Sequence, residues 1–386
     1  MEVELKILSG KGKFFIYLPV QVRKKINIKI GDPVKIIFNF NDEQLTFISK
    51  YNYNITVKKD LAKSLNLSKG DKVKIKIYKL NPSKKIQEPF INNKVDLAFF
   101  IPVKTKKGSH LHYEIFKRDS KEFIRIVAIH KRGSSSQVVF RRFVDPKILG
   151  SFLGQIQSEG TKTDFDKIEF CNKNFFEIRD FIYYINYFGI SKNKITTKLD
   201  YHISFENKKQ EIINEFINEI GLNIDYVSTS LKSRGGYGFK ILIRNVALAE
   251  IFLNCLVKIR EFINIGLEEI PLSFYEGYLC KILSGDGSFE LTSKNRKKIQ
   301  ARLLISDGNL NYLRHYKILL QKFGFRPIIK EDFEYIRTMC NLELAIMLLE
   351  INAFENNPNK EKLLFFIKNN QIASTRGGGL SYLIKN

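Results

Sequence analysis

The sequence is poor in the side chains that hold metals through sulfur and nitrogen. Its 386 residues include only four cysteines and five histidines. The cysteines lie far apart in apolar segments and form no CxxC pair, which excludes a zinc ribbon or a disulfide-stapled scaffold and predicts buried, reduced thiols. The histidines show neither HxxxH nor HExxH spacing, and His110 with His112 is more typical of chance than of a ligand pair.

Long apolar runs are also absent. No segment approaches the roughly 20 apolar residues that a membrane-spanning helix needs. The N-terminal stretch MEVELKILSG is too short and too charged for a secretory signal. The sequence therefore predicts a cytoplasmic protein without a membrane partner.

Acidic residues are strongly outnumbered. There are 64 Lys and Arg residues against 40 Asp and Glu, so the formal net charge is +24. Solubility requires far less charge, and self-repulsion opposes compaction. A polyanionic partner explains the excess, with nucleic acid ahead of an acidic membrane surface. A proteome rich in Lys, Ile and Asn is the alternative explanation.

Two internal repeats organise the chain. The first pairs LPVQVRKKINIKIGDPVKIIF with TVKKDLAKSLNLSKGDKVKIKI at an offset of 39 residues, which carries Gly31 to Gly70 and Asp32 to Asp71. Each copy is typical of a strand, a short helix, a Gly-Asp turn and an alternating strand, and neither could bury its apolar face alone. The pattern, with Pro19 before the helix, resembles the AbrB-type swapped-hairpin family, whose interlocked hairpins often bind DNA.

The repeat sets the predicted boundaries of the N-terminal part. Residues 1–46 form one hairpin unit and residues 47–81 the other, and a β-rich segment of unknown role follows at 82–145. A packing or oligomerisation platform is the alternative role for the two hairpin units.

The second repeat is longer. Residues 148–160, ILGSFLGQIQSEG, match residues 275–287, YEGYLCKILSGDG, at an offset of 127 that pairs Glu159 with Asp286. Farther along, Asn174 pairs with Asn309 at an offset of 135, within two similar strand–helix segments. Agreement in order and type defines two related α/β halves, at 146–268 and 269–376, with a tail at 377–386.

Both leading segments of this repeat are typical of helices. Asp145-Pro146 supplies an N-cap and a proline at the first helical position, and Ser273 with Glu276 predicts a capping box. Residues spaced four apart form a stripe of mostly small side chains along each helix. We expect the two stripes to pack against each other as a helix seam. Its members are Gly150, Gly154, Ser158, Gly277, Lys281 and Gly285.

Such packing would bring Glu159 and Asp286 together at neighbouring helix ends. Like charges and the negative ends of two helix dipoles repel there, so the pair needs a cation. Few oxygen ligands, completed by water, suit Mg²⁺, and metal-activated water beside a phosphodiester makes a hydrolytic site. The spacing thus predicts two sites, each addressing one strand of a duplex.

FLGQIQSEG and LCKILSGDG, with the later SFEL, FGI and FGF, resemble the two motifs of a single-chain LAGLIDADG homing endonuclease across residues 146–370. GYGFKILIRN is similar to its archaeal branch. The resemblance implies an α+β fold in which two pseudo-symmetric αββαββα-like halves form a saddle over the DNA major groove. It also implies Mg²⁺ or Mn²⁺ at Glu159, Gly160, Asp286 and Gly287, and double-strand breaks with short 3′ overhangs.

Basic and amide side chains at alternating strand positions are the candidates for reading DNA. These are Lys162, Lys240 and Arg244 in the first half, and Lys294, Arg296, Lys298, Gln300 and Arg302 in the second. Lys258 and Lys360 are candidates for the lysines that assist catalysis in the family. Lys281 departs from the family, which has a small residue there, and must reach a carboxylate, phosphate or water if it is buried. Gln157 and Ser284 replace the first acid of each motif.

Three functions are open at this point. A sequence-specific endonuclease, acting on double-stranded DNA as a pseudo-dimeric monomer, needs both motif acids. A DNA-binding regulator on an inactive scaffold does not, and the hairpin pair and Lys281 favour it. An RNA-splicing cofactor on the same scaffold would bind structured RNA instead. An intein is not expected, because the ends, Met and SYLIKN, lack the residues of protein splicing.

Overall fold

The chain folds into two compact units. A computed structural model describes residues 2–10, 13–30, 32–40, 43–51, 54–57, 62–63, 66–79, 88–129, 136–230, 236–294, 298–355 and 357–375. The N-terminal unit comprises Met1–Ile86 and Pro102–Val139, and the C-terminal unit comprises Gln87–Ile101 and Phe140–Asn386. The β-rich segment 82–145 therefore contributes to both units. Within the described ranges, no helix has the length and apolar character to cross a membrane.

A six-stranded sheet dominates the N-terminal unit. Its strand order is β4-β3-β6-β1-β2-β5. The elements are β1 (Glu2–Gly10), β2 (Lys13–Tyr17), α1 (Val20–Lys25), β3 (Pro33–Phe40), β4 (Glu43–Lys50), β5 (Asn54–Val57) and β6 (Lys72–Lys79). Alternating apolar residues of these strands, such as Val34, Ile36 and Phe38, are fully buried. The alternation thus supplies the core of this unit.

The 39-residue repeat has matching backbone geometry in its two copies. The Lys29 amide donates to Asp32 Oδ2 at 2.8 Å, and the Ser68 amide donates to Asp71 Oδ2 at 2.6 Å. β3 and β6, which follow the two turns, pair side by side as antiparallel strands. Gly31, part of the expected Gly-Asp turn, lies outside the described residues. Both copies therefore use the aspartate in the same way, as a cap on its own turn.

A second sheet, of order β11-β10-β9, follows. Its strands are β9 (His110–Arg118), β10 (Lys121–Ile129) and β11 (Ser136–Arg141). Glu114 of β9 forms ion pairs with Lys35 of β3 at 2.6 Å and with Arg125 of β10. These pairs link the hairpin of β9 and β10 to the larger sheet of the N-terminal unit.

The C-terminal unit contains two four-stranded sheets and the helices that pack on them. A small sheet of β7 (Phe90–Ile91), β8 (Lys94–Asp96) and β12 (Phe143–Val144) precedes them. The first half has α2 (Pro146–Glu159), β13 (Ile168–Asn172), α3 (Phe175–Tyr187), β14 (Ile195–His202), α4 (Lys209–Ile220), β15 (Tyr226–Ser230), β16 (Tyr237–Ile243) and α5 (Val246–Asn264). The second half has α6 (Leu272–Asp286), β17 (Gly287–Lys294), β18 (Lys298–Ser306), α7 (Leu310–Lys322), β19 (Ile328–Lys330), β20 (Tyr335–Cys340), α8 (Leu342–Glu350) and α9 (Asn359–Thr375).

Three strands have the same order in the two sheets, but the edge strands differ. The second sheet runs β17-β18-β20-β19, and the first runs β13-β16-β14-β15. β13, β16 and β14 occupy the places of β18, β20 and β19. The counterpart of β17 is only an isolated bridge between Gly160 and Phe170, and β15 is an added edge strand parallel to β14. An αββαββα description therefore fits the second half more closely than the first.

The predicted N-terminus of the first motif helix is observed, but that of the second is not. Asp145 caps α2 by accepting from the Ile148 amide at 3.1 Å, so that prediction is confirmed. The capping box at Ser273 is wrong, because α6 begins at Leu272 and its N-cap position is Pro271. The Phe274 amide already donates to the Pro271 carbonyl at 3.0 Å. The proline φ of −60° fixes the chain for a helix before Ser273 is reached.

Candidate functional site

Helices α2 and α6 pack so closely that only glycine fits at their crossing. A Cβ atom added to Gly150 would lie 2.2 Å from the carbonyl oxygen of Phe274. A Cβ added to Gly277 would lie 2.3 Å from the carbonyl oxygen of Lys147. Both distances are far below van der Waals contact, so the missing side chains set the helix separation.

Close packing continues to the C-terminal ends of the two helices. A Cβ added to Gly154 would lie 2.7 Å from the Tyr278 carbonyl oxygen and 3.0 Å from Cβ of Lys281. A Cβ added to Gly285 would lie 2.6 Å from Ser158 and 3.3 Å from Cγ of Glu159. The side chain of Glu159 therefore lies against the residue that immediately precedes Asp286.

Lys281 does not hold the seam open, because its side chain leaves it. The residue is only 5% exposed, and its ammonium donates to Glu177 at 3.0 Å and to Asp180 at 2.5 Å, both on α3. Burial alone would lower the pKa of Lys281, but the charges of Glu177, Tyr184 and Asp180 together with the hydrogen bond to Asp180 outweigh it, so the pKa rises. Gln155 also donates to Glu177, at 2.7 Å. A buried lysine is thus accommodated by carboxylates, as its burial requires.

Gly160 and Gly287 end the two helices and start extended chain. Their φ values of −97° and −88° suit any residue, so backbone freedom does not explain the glycines. Space does: an added Cβ would lie 2.7 Å from Ile156 Cα in one case and 2.5 Å from the Leu283 carbonyl oxygen in the other. The motif acids are therefore followed by a turn that only glycine can make.

The pKa values of both motif acids are raised from their ordinary values. Burial raises the pKa of Glu159, the charge of Glu177 adds to the rise, and Lys162 opposes it. Burial also raises the pKa of Asp286 to about 7, with Lys162 opposing and Glu159 and Asp307 adding. At neutral pH Asp286 therefore favours a proton or a cation beside it.

An open cleft of about 400 Å³ lies beside Asp286. Lys162 was expected to read DNA from a strand that follows α2. That strand is reduced to the bridge between Gly160 and Phe170, and Lys162 lines the cleft instead. Asp307, at the end of β18, also lines the cleft and was not predicted. The 135-residue offset of the repeat could have pointed to Asp307, because it pairs this residue with Asn172. The structure supports the match, since each side chain accepts a hydrogen bond from the backbone amide two residues later.

A buried hydrogen-bond chain joins the first motif helix to this cleft. Gln157, fully buried on α2, donates to the hydroxyl of Tyr316 on α7 at 2.9 Å. That hydroxyl donates to Asp307 Oδ2 at 3.2 Å. The residue that replaces the first acid of motif one thus positions a carboxylate of the second half.

Two cationic side chains, Lys162 and Arg260, contact the aromatic ring of Tyr312. The ammonium of Lys162 lies 5.0 Å from the ring centre of Tyr312, and the guanidinium of Arg260 lies 4.8 Å from it. Arg260 also donates to Gln157 Oε1 at 3.5 Å. Cation–π contacts of this kind hold Lys162 in the cleft.

The exposed face of the second sheet carries part of the expected DNA-reading set. Buried Ala301, Leu303 and Ile305 alternate along β18 with Gln300 and Arg302, so both polar side chains point away from the core. Arg296 lies outside the described residues, and the side chains of Lys294 and Lys298 do as well.

The first sheet differs, because two of its lysines, Lys198 and Lys240, are already paired with a carboxylate. Asp200 accepts from Lys240 at 2.7 Å and from Lys198 at 2.8 Å. Burial alone would raise the pKa of Asp200, but these hydrogen bonds lower it to about 2. The hydrogen bond that Lys240 donates to Asp200 raises the pKa of Lys240. Arg244 is exposed just after β16.

The two lysines expected near the chemistry have different settings. Lys258 pairs with Glu261 of its own helix at 3.1 Å. Lys360 lies at the start of α9, next to Asn357 and Asn359, whose amides donate to the Ser284 carbonyl at 3.2 Å and to the Gly287 carbonyl at 3.4 Å. The chain segment of Lys360 therefore lies against the end of α6.

The donor set at the helix ends is small. Across the described residues, no group of three or more His, Cys, Asp and Glu side chains could hold a metal ion. Glu159 and Asp286 offer two carboxylates, which fit an ion that keeps several waters, as Mg²⁺ does. They do not fit zinc, which prefers nitrogen and sulfur ligands in a closed tetrahedron.

Comparison with known proteins gives structural neighbours but no sequence relative. No family model and no curated protein matches the chain. One similar structure is LAGLIDADG homing endonuclease I-GzeII in complex with its DNA target, with a TM-score of 0.28 and 10% identity, covering 62% of this chain and 94% of that one. Another is I-SmaMI bound to uncleaved DNA target in the presence of calcium ions, with a TM-score of 0.31 and 12% identity, covering 61% and 93%.

Proposed function

We propose that the protein is a sequence-specific DNA endonuclease of the LAGLIDADG homing type. It hydrolyses one phosphodiester in each strand of a duplex with Mg²⁺ or Mn²⁺ and leaves short 3′ overhangs. The observation that carries the proposal is the pair Glu159 and Asp286. Their side chains stand at adjacent ends of two helices packed at glycine contact distance, and both have raised pKa values.

The electrostatics of this pair suit catalysis on a phosphodiester. Two carboxylates with raised pKa values gain from a divalent cation, which would supply Lewis-acid polarisation of the scissile phosphate when bound. Glu159 and Asp286 would hold that cation between them. Lys162, near enough to oppose the pKa rise of both acids, would stabilise the charge that develops on the phosphate oxygens.

Asp307 would act from the side of the cleft. Its carboxylate is oriented by Tyr316 and, through that hydroxyl, by Gln157. Because it lines the cleft together with Asp286, it is placed to orient an attacking water. No equivalent aspartate exists in the first half, where Asn172 takes its place, so the two strand-cutting sites would differ in rate.

The DNA would lie along the exposed faces of the two sheets. The net charge of +24 supports a polyanionic partner. In the second half Gln300 and Arg302 suit adenine and guanine in the major groove. In the first half Lys240 would need to exchange Asp200 for DNA, so its contribution to affinity would be smaller.

Plasmid-library cleavage tests the proposal. Wild type is compared with Glu159→Gln and Asp286→Asn, with Mg²⁺ and with EDTA. We expect wild type to linearise plasmids that contain the target and each variant to nick them or leave them intact. Linearisation that is unaffected by both substitutions would refute the assignment of the two acids.

A DNA-binding regulator without nuclease activity is the second candidate. The repeated Asp-capped turns at Asp32 and Asp71 favour it, because they support the AbrB-type resemblance of the N-terminal unit. Tight, salt-sensitive duplex binding by wild type and both variants, with no cutting by any of them, would select this function. Preferential binding of structured RNA would instead select the RNA-splicing role.

A further inference from the structure

The connection between α8 and α9 places two asparagines against the end of α6. Asn357 donates from Nδ2 to the Ser284 carbonyl at 3.2 Å. Asn359 donates from Nδ2 to the Gly287 carbonyl at 3.4 Å. One of these carbonyls precedes Asp286 and the other follows it. Two side chains outside the repeated motifs therefore bind the backbone on both sides of a motif acid.

Each of the two asparagine side chains is held at its oxygen as well. Asn357 Oδ1 accepts from the Asn359 backbone amide at 2.9 Å, and Asn359 Oδ1 accepts from Lys362 Nζ at 3.2 Å. Since the oxygen of each side-chain amide faces a donor, its nitrogen is the atom that faces the α6 carbonyls. The hydrogen-bond network thus fixes both asparagines as donors to the end of α6.

The same connection contacts α6 one turn earlier. Cys280 donates from Sγ to the Asn352 carbonyl at 3.3 Å. Cys280, Ser284 and Gly287 are spaced four and three residues apart, so the three contacts follow one face of α6. The helix seam with α2 uses the face about 100° away around the helix. α6 is therefore held on two faces as it approaches Asp286.

The α8–α9 connection contains strained backbone. Asn352 and Phe354 have φ values of 59° and 63°, in a region that bulky side chains such as that of Phe354 rarely adopt. Phe354 is fully buried, and its ring centre lies 6.2 Å from that of Phe289 on β17. Packing against the strand that follows Asp286 holds this conformation, and strain maintained by packing is typical of functional sites.

The first half continues its helix where the second half interrupts it. Asn245 caps the start of α5 and Asn341 caps the start of α8, each by accepting from the amide three residues later. The two helices are therefore counterparts. α5 runs without interruption from Val246 to Asn264, whereas α8 ends at Glu350. The interruption that delivers the two asparagines thus belongs to the second half.

We propose that Asn357 and Asn359 are positioning residues for Asp286. A helix C-terminus leaves carbonyls without partners inside the helix, and their partial negative charge opposes a carboxylate there. The two amide donors satisfy one carbonyl on each side of Asp286 and fix the backbone that carries its side chain. The inference rests on the proposed function, which gives Asp286 a divalent cation and one DNA strand to cut.

Mn²⁺ binding and strand-resolved cleavage test this role. Mn²⁺ affinity is measured by electron paramagnetic resonance for wild type, Asn357→Ala, Asn359→Ala and the double variant. Asp286→Asn identifies the affinity that depends on this acid and the strand that it cuts. We expect each asparagine variant to weaken the Asp286-dependent Mn²⁺ affinity by roughly tenfold and to slow cutting of that strand by roughly tenfold. The rate on the other strand should be nearly unchanged.

Asn245→Ala is the matched control, because it removes an asparagine cap from α5 in the first half. It should lower Tm, as the loss of a helix cap does, but leave Mn²⁺ affinity as in wild type. A merely structural role for Asn357 and Asn359 would give the same pattern as this control.

The outcomes separate the positioning role from the nuclease. Cutting by wild type, with Mn²⁺ affinity and both strand rates unchanged in the double variant, would overturn the role and leave the proposed function standing. Equal loss of Mn²⁺ affinity in Asn245→Ala, or slowing of the strand that Asp286→Asn leaves intact, would also overturn it. Asp286-dependent Mn²⁺ binding that weakens in the asparagine variants, in a protein that never cuts, would support the role and refute the nuclease. Neither binding nor cutting by wild type would refute both.

Discussion

Replacing Asp286 with asparagine should stabilise the protein at neutral and alkaline pH while removing its activity. The folded-state pKa is about 7 against an ordinary value of 3.8. Since the folded pKa is raised, the stabilising effect of the neutral acid is complete below pH 3.8 and is lost as pH rises toward 7. The difference between the two pKa values corresponds to at most about 4 kcal/mol. Screening by water at a partly exposed carboxylate reduces this to about 2 kcal/mol.

Thermal unfolding at two pH values measures this effect. At about pH 8 we expect Asp286→Asn to raise Tm by roughly 4–8 °C, and at about pH 4 we expect the two proteins to melt together. Asp119→Asn is the matched control, because Asp119 is exposed in a turn of the N-terminal unit. A variant that melts lower than wild type at about pH 8, or that gains equally at both pH values, would refute the reasoning.

The same carboxylate should control catalysis and metal response. Cleavage by wild type should rise about tenfold per pH unit below about pH 7 as Asp286 ionises, and level off above it. Mg²⁺ should raise the Tm of wild type but not of Asp286→Asn, because ligand binding stabilises only the state that binds it. A pH-independent rate between about pH 5 and 8 would contradict this role.

Three further substitutions test the packing around the site. Gly150→Ala should destabilise by about 1–3 kcal/mol or more in urea unfolding, because its Cβ would overlap a backbone carbonyl; Gly236→Ala, which has open space, should be neutral. Lys281→Met should cost about 3–5 kcal/mol by leaving Glu177 buried without its partner, and adding Glu177→Gln should restore much of that stability. Tyr316→Phe should cost about 1–3 kcal/mol and slow cutting of one strand more than the other in a nicking assay.

Repetition in the sequence located the main features of the C-terminal unit. The 127-residue offset aligned two helices that the structure places in contact, and the stripe of small residues lies where the backbones meet. The start of α2 at Asp145 was also predictable, since capping depends on neighbours in the chain. The start of α6 was not, because Pro271 overrides the capping signal of Ser273.

Several side chains could not be placed from the sequence. Lys162 was expected on a strand, but that strand is reduced to a bridge and the lysine lines the cleft. Lys240 was expected to be available for DNA, but Asp200 pairs with it. Asp307 lines the cleft but belongs to no sequence motif that would have predicted its position. Each outcome depends on a partner that is distant in the chain, so no local pattern records it.

The sequence by itself determined which segments form helices, which strands alternate and which two acids end twin helices. These properties follow from backbone propensity, side-chain periodicity and a repeated spacing, all of which act over a few residues. Tertiary structure decided that Lys281 turns toward Glu177 and that Gln157 reaches Tyr316 and so Asp307. It also decided that Lys240 pairs with Asp200. The physical reason is that burial and charge pairing are set by packing between distant segments, and the same burial raises the pKa of Asp286.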